Sequence, residues 1–240
     1  MSQRWGATRR GLRGLRGLAH AGLDVVVPVA CAGCGAAEEV LCPRCRAVLE
    51  AAPIRVSPPV TRGTPVLALG THTSHLRHLV LAWKLAGRRD LEPHLAHALT
   101  RLGSDLSGTP EVPLARGEPV WVVPAPSGIT RAVRGRPAVA TLGCALARGL
   151  AAAGHDAVVV TALRRGIGSA QHGGSSRQRR DGDLRVRPRL ALPGTAVVLV
   201  DDVVTTGATL AACTDAIEGA GGRVLAAAVL SAAPGPLSGR

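Results

Sequence analysis

One junction constrains this chain more than any other. The apolar run Val197-Val-Leu-Val200 passes directly into Asp201-Asp202, two further valines, and then Thr205-Thr206-Gly207-Ala208-Thr209. Consecutive apolar residues suit a strand buried on both faces, the environment of a parallel sheet covered by helices. The carboxyl end of such a strand is where open α/β sheets bind ligands, and the helix that follows offers unpaired N–H groups to an anion. Thr205, Thr206 and Thr209 add hydroxyl donors, and Gly207 lets the backbone approach a phosphate without a Cβ in the way. Two adjacent carboxylates beside a phosphate cradle make sense only for a ligand that also presents hydroxyls. A ribose 5-phosphate presents both.

The rest of the chain alternates in the same manner. A short strand at Val66 to Leu69 precedes a helix over His75 to Ala86, whose apolar residues Leu76, Leu79, Val80, Trp83 and Leu85 follow a mostly helical period, with Gly87 as a stop. A second helix is expected over Leu91 to Leu102, then a Gly/Pro-rich loop from Gly103 to Pro119 and a buried strand Val120 to Val123. The loop Pro124 to Gly128, a helix from Val139 to Ala153 and a strand from Ala157 to Thr161 come next. The segment Arg164 to Arg189 has no apolar periodicity and reads as a mobile surface loop. A strand Ala196 to Val200, a helix Ala208 to Ala220 and a strand Arg223 to Leu230 complete an α/β order with a parallel sheet covered on both faces. At 240 residues the chain accommodates one such domain of roughly 200 residues and an appendage.

The appendage is marked by cysteine. Four of the six cysteines lie within fifteen residues, as Cys31-Ala-Gly-Cys34 and Cys42-Pro-Arg-Cys45. Paired C-x-x-C knuckles read as a four-thiolate zinc site, because two tight turns aim four sulfurs at one tetrahedral ion. The gap between the knuckles is shorter than usual, and two disulfides are the alternative, disfavoured in a reducing compartment. A closed thiolate site leaves no open position for catalysis, so its role is structural, worth an apparent ~10–16 kcal/mol of metal-linked folding energy. Cys144 and Cys213 lie in helical patterns and read as core residues. His72, His75, His78, His94 and His97 lack a carboxylate at ligand spacing and read as solvated or capping residues. The expected organisation is a basic segment over 1–24, a zinc module over 25–52, a Pro-rich connector and a main domain over 60–235.

Composition excludes more than it identifies. Arginine supplies 28 of the 29 cationic side chains, Lys84 the other, and there is no Phe, Tyr or Asn. With Trp5, Trp83 and Trp121 as the only aromatics, single-strand binding by rows of stacking platforms is disfavoured. The net charge of +13 is concentrated in residues 1–24 and 131–190, at +4 and +9. Such a field attracts phosphates, whether of a nucleotide or of a nucleic acid, or it is simply a solubilising surface in an arginine-biased chain. No apolar run reaches the ~18 residues of a membrane span and no secretion signal is evident, so a cytoplasmic protein is expected. An amphipathic surface helix in the first 21 residues is weakened by Gly11, Gly14 and Gly17. Walker A, Gly-x-Ser-x-Gly and His-Glu-x-x-His motifs are missing, which excludes a P-loop motor and gives no sign of a serine hydrolase or a zinc protease.

The Asp201 to Thr209 segment resembles the phosphoribosyl-diphosphate signature of type I phosphoribosyltransferases. The four-cysteine module, the stretch Trp83-Lys84-Leu-Ala-Gly-Arg-Arg-Asp90, the Val122-Val-Pro-Ala-Pro126 loop and the Asp201 motif, in that order, resemble the competence-associated ComF family over roughly residues 23–233. The resemblance implies that Asp201 and Asp202 accept hydrogen bonds from ribose hydroxyls. Thr205, Thr206, Gly207, Ala208 and Thr209 would hold the 5-phosphate, while Pro124, Ala125 and Arg134 would lie by the diphosphate and its Mg2+. Transfer would pass through an oxocarbenium-like anomeric carbon, with the basic segment Arg164 to Arg180 closing over the departing diphosphate. The family's Arg-Gly-Phe-Asn-Gln run is replaced here by Arg134-Gly-Arg-Pro-Ala138, and a later Asn by Gly182 after Gln171 and Arg179. The arginines that attract diphosphate remain, while the amides that would recognise a base do not. The sequence therefore supports two readings: a phosphoribosyltransferase of unknown acceptor, or a non-catalytic accessory of DNA uptake that binds single-stranded DNA or competence-machinery proteins.

Overall fold

The computed structural model describes residues 29–61, 63–126, 138–166 and 186–234. The basic segment 1–24, Arg134 and most of the Arg164 to Arg180 segment lie outside the described residues.

After the cysteine knuckles come helix α1 (Pro43–Glu50), strand β1 (Ile54–Val56), strand β2 (Val66–Ala68) and helix α2 (Ser74–Lys84). A 3-10 turn (Arg89–Leu91) leads into α3 (Glu92–Ser107), followed by β3 (Val120–Pro124), α4 (Ala138–Ala152) and β4 (Ala157–Val159). Two short strands, β5 (Leu163–Arg165) and β6 (Val186–Pro188), precede β7 (Ala196–Val204), α5 (Ala208–Glu218) and β8 (Arg223–Ala232). Six strands form one sheet in the order β1-β2-β8-β7-β3-β4. Every neighbouring pair is parallel except β1 with β2, which adds an antiparallel edge that the sequence did not announce.

Both faces of the sheet are covered, and the alternation along β7 shows how. Val198 and Val200 pack into the larger apolar cluster with α1, α2, α3 and α4, while Val197 and Leu199 pack with Leu210, Cys213 and Ile217 of α5. All residues from Ala196 to Val200 are buried, as a run of apolar residues in a central parallel strand requires. The topology then selects the place for a ligand. From β3 the chain crosses through α4 to β4 on one side, and from β7 through α5 to β8 on the other. The connections leaving the adjacent strands β3 and β7 thus run in opposite directions, and the carboxyl ends of such a pair flank the crevice where open α/β sheets bind their ligands.

Three sequence expectations are corrected. The loop expected from Gly103 begins only at Gly108, because α3 runs on to Ser107. Gly103 is not a helix stop: a Cβ there would stand 2.4 Å from the Leu146 carbonyl oxygen, and one on Gly149 would stand 1.9 Å from that of Thr100. The two glycines let α3 and α4 touch backbone to backbone. Thr100 and Ser104 fasten the contact by donating hydroxyl hydrogen bonds to the carbonyls of Ala145 (3.1 Å) and Gly149 (3.1 Å). The expected mobile loop over Arg164 to Arg189 is an ordered antiparallel ladder at its two ends, Arg164 facing Arg187 and Arg165 facing Val186. Its inner face packs Leu163 and Val186 against the α5 side of the core, which is what orders it. Finally, Cys213 is buried as expected but Cys144 is exposed. Among the described residues no helix is long and apolar enough to cross a membrane.

Candidate functional site

At the end of β7 the chain turns into α5 through Gly207, whose φ of 86° lies in the left-handed region that favours glycine. Glycine is required there for a second reason, since a Cβ would stand 2.8 Å from Pro58 Cβ and 2.9 Å from Thr61 Cγ2. The connector between β1 and β2 is therefore pressed against the turn. The Ala208 N–H donates to Thr206 Oγ1 at 3.3 Å, so the threonine also shapes the start of the helix. Around this turn lies a cleft of about 250 Å3 bounded by Asp201, Val203, Val204, the whole Thr205 to Thr209 segment, Leu210 and Arg165. Thr205, Thr206 and Ala208 are exposed, Thr209 and Asp201 half-buried. A helix amino terminus, three threonines, an arginine and one carboxylate thus line a single cleft, groups suited to an anion that also carries hydroxyls.

The two acids of the motif part company. Asp201 faces the cleft, and its Oδ1 accepts a hydrogen bond from the Asp202 N–H at 2.8 Å. Asp202 is 4% exposed and does not line the cleft. Its Oδ1 accepts a hydrogen bond from Lys84 Nζ at 2.7 Å, an ion pair with the lysine at the last turn of α2. On the same side, His72 Nδ1 lies 2.7 Å from Ser231 Oγ. Burial, reinforced by the charges of Arg77 and Lys84, lowers the His72 pKa below the ordinary imidazole value. Pro124 and Ala125 are buried at the end of β3, where the Ala125 N–H donates to the Val200 carbonyl at 2.8 Å. They wall the crevice between β3 and β7 without lining the cleft. Arg165 Nε donates to the Pro126 carbonyl at 3.2 Å and so ties the β5–β6 ladder to that wall.

Lys84 and Arg165 are the two residues that motif reading did not single out. Lys84 stood only in a family-like stretch with no role attached, and Arg165 in a long basic segment. The one available signal was compositional: Lys84 is the sole lysine beside 28 arginines.

The cysteine cluster is built differently. The first knuckle is a turn in which the Gly35 N–H donates to the Cys31 carbonyl at 2.8 Å. The second starts α1, with Cys42 as its N-cap, Pro43 in its first turn and Cys45 one turn on. The Sγ atoms of Cys31, Cys34, Cys42 and Cys45 all lie within 4.8 Å of one another, and Cys34 and Cys42 are 3.6 Å apart. A tetrahedral thiolate site with Zn–S of about 2.3 Å needs sulfurs about 3.8 Å apart, so the four fit one zinc ion. The fit extends to the surroundings. The Cys42 N–H points at Cys31 Sγ at 3.4 Å, and a Cβ on Gly33 would strike Cys45 Sγ at 2.5 Å. Burial opposes ionisation of Cys31, but the N–H groups of Cys42, Cys34 and Gly33 outweigh it and lower its pKa to about 6, whereas burial pushes Cys45 up. The module is joined to the sheet through α2, where His78 Nδ1 lies 3.0 Å from the Gly33 carbonyl. Cys31, Leu41, Cys42, Cys45 and Leu49 belong to the same apolar cluster as Leu79 and Trp83.

Among comparisons with known proteins, a family match falls in the second half of the chain. Residues 138–237, from α4 through β8, match the phosphoribosyl transferase domain family. No curated protein matches the chain. Among solved structures, hypoxanthine phosphoribosyltransferase from Staphylococcus aureus in a tetragonal form is similar at 16% identity, with 60% of this chain and 65% of that chain covered and a TM-score of 0.36. Its orthorhombic form gives 13%, 57%, 61% and 0.32, and the Trypanosoma cruzi enzyme gives 17%, 62%, 70% and 0.34. The chain thus spans a little under two thirds of the Staphylococcus structures, and likeness this loose supports no assignment of residues. The strand order, the switch point and the matched segment together give the fold: a mostly parallel α/β sheet whose residues 138–237 match the phosphoribosyl transferase domain family, joined to a small four-cysteine module with the geometry of a zinc site.

Proposed function

We propose that this protein binds 5-phosphoribosyl 1-diphosphate at the β7–α5 junction and transfers its phosphoribosyl group to an acceptor. One observation carries the reading: the cleft at the sheet's switch point combines a phosphate cradle, Thr205 to Thr209, with the Asp201 carboxylate and the Arg165 guanidinium. The 5-phosphate takes the N–H groups at the start of α5 and the threonine hydroxyls. Asp201 accepts hydrogen bonds from the ribose hydroxyls and so orients the anomeric carbon. Arg165 stabilises negative charge on the diphosphate as it departs, each charge-assisted hydrogen bond contributing about 1.5–3 kcal/mol. The C–O bond to the diphosphate breaks with its electron pair on the leaving group, and the acceptor's lone pair forms the new bond as its proton passes to solvent. Mg2+, a hard cation suited to the carboxylate and hydroxyl oxygens of this cleft, supplies charge neutralisation of the diphosphate when bound. Pro124, Ala125 and Arg134 complete the diphosphate side in this reading.

The test is calorimetric titration with phosphoribosyl diphosphate and Mg2+, comparing wild type with Asp201→Asn. Wild type is expected to bind and the variant to lose about tenfold or more in affinity, the worth of one charge-assisted hydrogen bond. Equal binding by the two proteins would remove the ligand from this cleft.

The resemblance to ComF proteins extends the reading to a cytoplasmic role in DNA uptake, in a compartment where four reduced thiols can hold zinc. One observation favours a nucleic-acid partner besides the transferase chemistry. Arg164 and Arg187 face each other across the β5–β6 ladder, both exposed, an arrangement of like charges that costs stability unless an anion lies between them. Binding of single-stranded DNA through this ribbon would weaken steeply with salt, and an affinity indifferent to salt would dismiss it.

A further inference from the structure

Lys84 is the only lysine of the chain, and it makes the most buried ion pair among the described residues. Its side chain is 17% exposed and that of Asp202 5%, whereas the other described pairs, such as Arg88 with Asp90, lie at 31% and 38% or more. Lysine and arginine are not equivalent in such a place. An ammonium is a compact charge with three donors, while a guanidinium is a broad planar fork that would demand two acceptor oxygens and more room. The pair also spans the fold, joining the end of α2 to the end of β7 across 118 positions of sequence. From Asp202 the connection continues into the cleft, because the Asp202 N–H donates to the Asp201 carboxylate at 2.8 Å. Lys84, Asp202 and Asp201 thus form a chain of contacts that starts on one face of the sheet and ends in the cleft on the other.

We propose that Lys84 is a positioning residue of the ribose side of the cleft: by fixing and neutralising the Asp202 carboxylate it lets two adjacent acids stand at the end of β7 and holds Asp201 where it meets ribose hydroxyls. The proposal rests on the phosphoribosyl reading above and adds to it a residue from outside the matched domain segment. Two adjacent unneutralised carboxylates would repel each other and the phosphates of the ligand. With Lys84 in place, the cleft presents one carboxylate and its phosphate cradle stays electropositive. The consequence is selective. Ribose recognition depends on Lys84, whereas the cradle of α5 N–H groups and threonine hydroxyls does not.

The experiment compares ribose 5-phosphate with inorganic phosphate as probes, by calorimetry on the full chain. Four proteins are needed: wild type, Lys84→Met, Asp202→Asn and the double variant Lys84→Met/Asp202→Asn. The double variant replaces the buried ion pair by neutral groups of similar size and so leaves no buried charge unpaired. Wild type is expected to bind ribose 5-phosphate more tightly than phosphate. Lys84→Met should lose about tenfold for ribose 5-phosphate and less than twofold for phosphate. Because Lys84 acts through Asp202, the double variant should bind ribose 5-phosphate no more weakly than Asp202→Asn alone. Unchanged ribose 5-phosphate affinity in Lys84→Met overturns the proposal. So does an equal loss for both probes, which would mark a general effect on folding, or additive losses in the double variant. Wild type that binds neither probe would instead overturn the phosphoribosyl reading itself.

Discussion

The four-cysteine cluster closes on itself, whereas the cleft at the end of β7 opens to solvent and takes its walls from distant parts of the chain. Every sulfur of the cluster comes from fifteen consecutive residues, and its geometry follows from one turn and one helix start. The cleft draws Asp201 and Thr205 to Thr209 from one segment, but Arg165 from a ladder whose strands are twenty residues apart. The connector at Pro58 and Thr61 presses on its glycine. Lys84 reaches its buried acid from α2. A site made locally can be secured by one strong ligand. A site made at the carboxyl end of a central strand inherits its precision from packing, so it is sensitive to changes far from the ligand.

That contrast can be broken or sharpened by four measurements. The largest effect is expected from the cluster: purified protein should carry about one zinc per chain. Cys31→Ser, or a strong chelator, should remove it together with most of the metal-linked folding energy of the module. Metal analysis and thermal unfolding check this, and a protein whose melting ignores the chelator would make the cluster an accessory. Gly149→Ala comes next. Its Cβ would stand 1.9 Å from the Thr100 carbonyl oxygen, so α3 and α4 must separate, at a cost of about 3 kcal/mol, the upper end of overpacking. Denaturant unfolding should show the loss, and phosphate affinity measured well below the midpoint should stay unchanged.

Gly207→Ala should be smaller in stability and larger in function. A left-handed φ of 86° costs an L-residue about 1–2 kcal/mol, and the Pro58 contact at 2.8 Å adds strain in the phosphate turn. Phosphate affinity is expected to fall with stability, in contrast to Gly149→Ala, and parallel behaviour of the two variants would contradict a cleft shaped by this turn. The smallest effect concerns pH. His72 has a folded pKa below its unfolded value, because burial disfavours its charged form. The unfolded chain therefore takes up the proton first, and the contribution of neutral His72 is full above the ordinary histidine pKa and is lost as pH falls through it towards the lowered folded value. His72→Gln should make the acid-side decline in stability shallower by no more than one proton's linkage, as read from unfolding free energies between about pH 7 and pH 5.

Much of this architecture was legible in the sequence, and the misreadings have common causes. The β7–α5 junction was readable because an apolar strand, two acids and a Thr/Gly turn each carry a local conformational preference that agrees with the fold. Gly103 signals a loop in the sequence because glycine is a helix breaker in isolation, while its use here is to admit another helix backbone, a fact that resides in Gly149. The β5 and β6 strands carry no sequence signal because three residues each are too few to show a period, and their order comes from Leu163 and Val186 meeting the α5 side of the core. Asp201 and Asp202 look equivalent as neighbours in a motif. In a strand successive side chains point to opposite faces, so one lines the cleft and the other meets Lys84.

The sequence by itself determined the features that depend on near neighbours: four sulfurs at knuckle spacing, a strand buried on both faces, and a glycine turn ready to receive an anion at a helix start. Local backbone geometry is enough to produce each of them. Only the tertiary structure decided which carboxylate faces the cleft, which cation pairs with the other, and which arginine among the described residues lines that cleft. Those choices depend on strand order and on the face from which each helix covers the sheet. Both are set by burial of the whole core, and no stretch of residues encodes them alone.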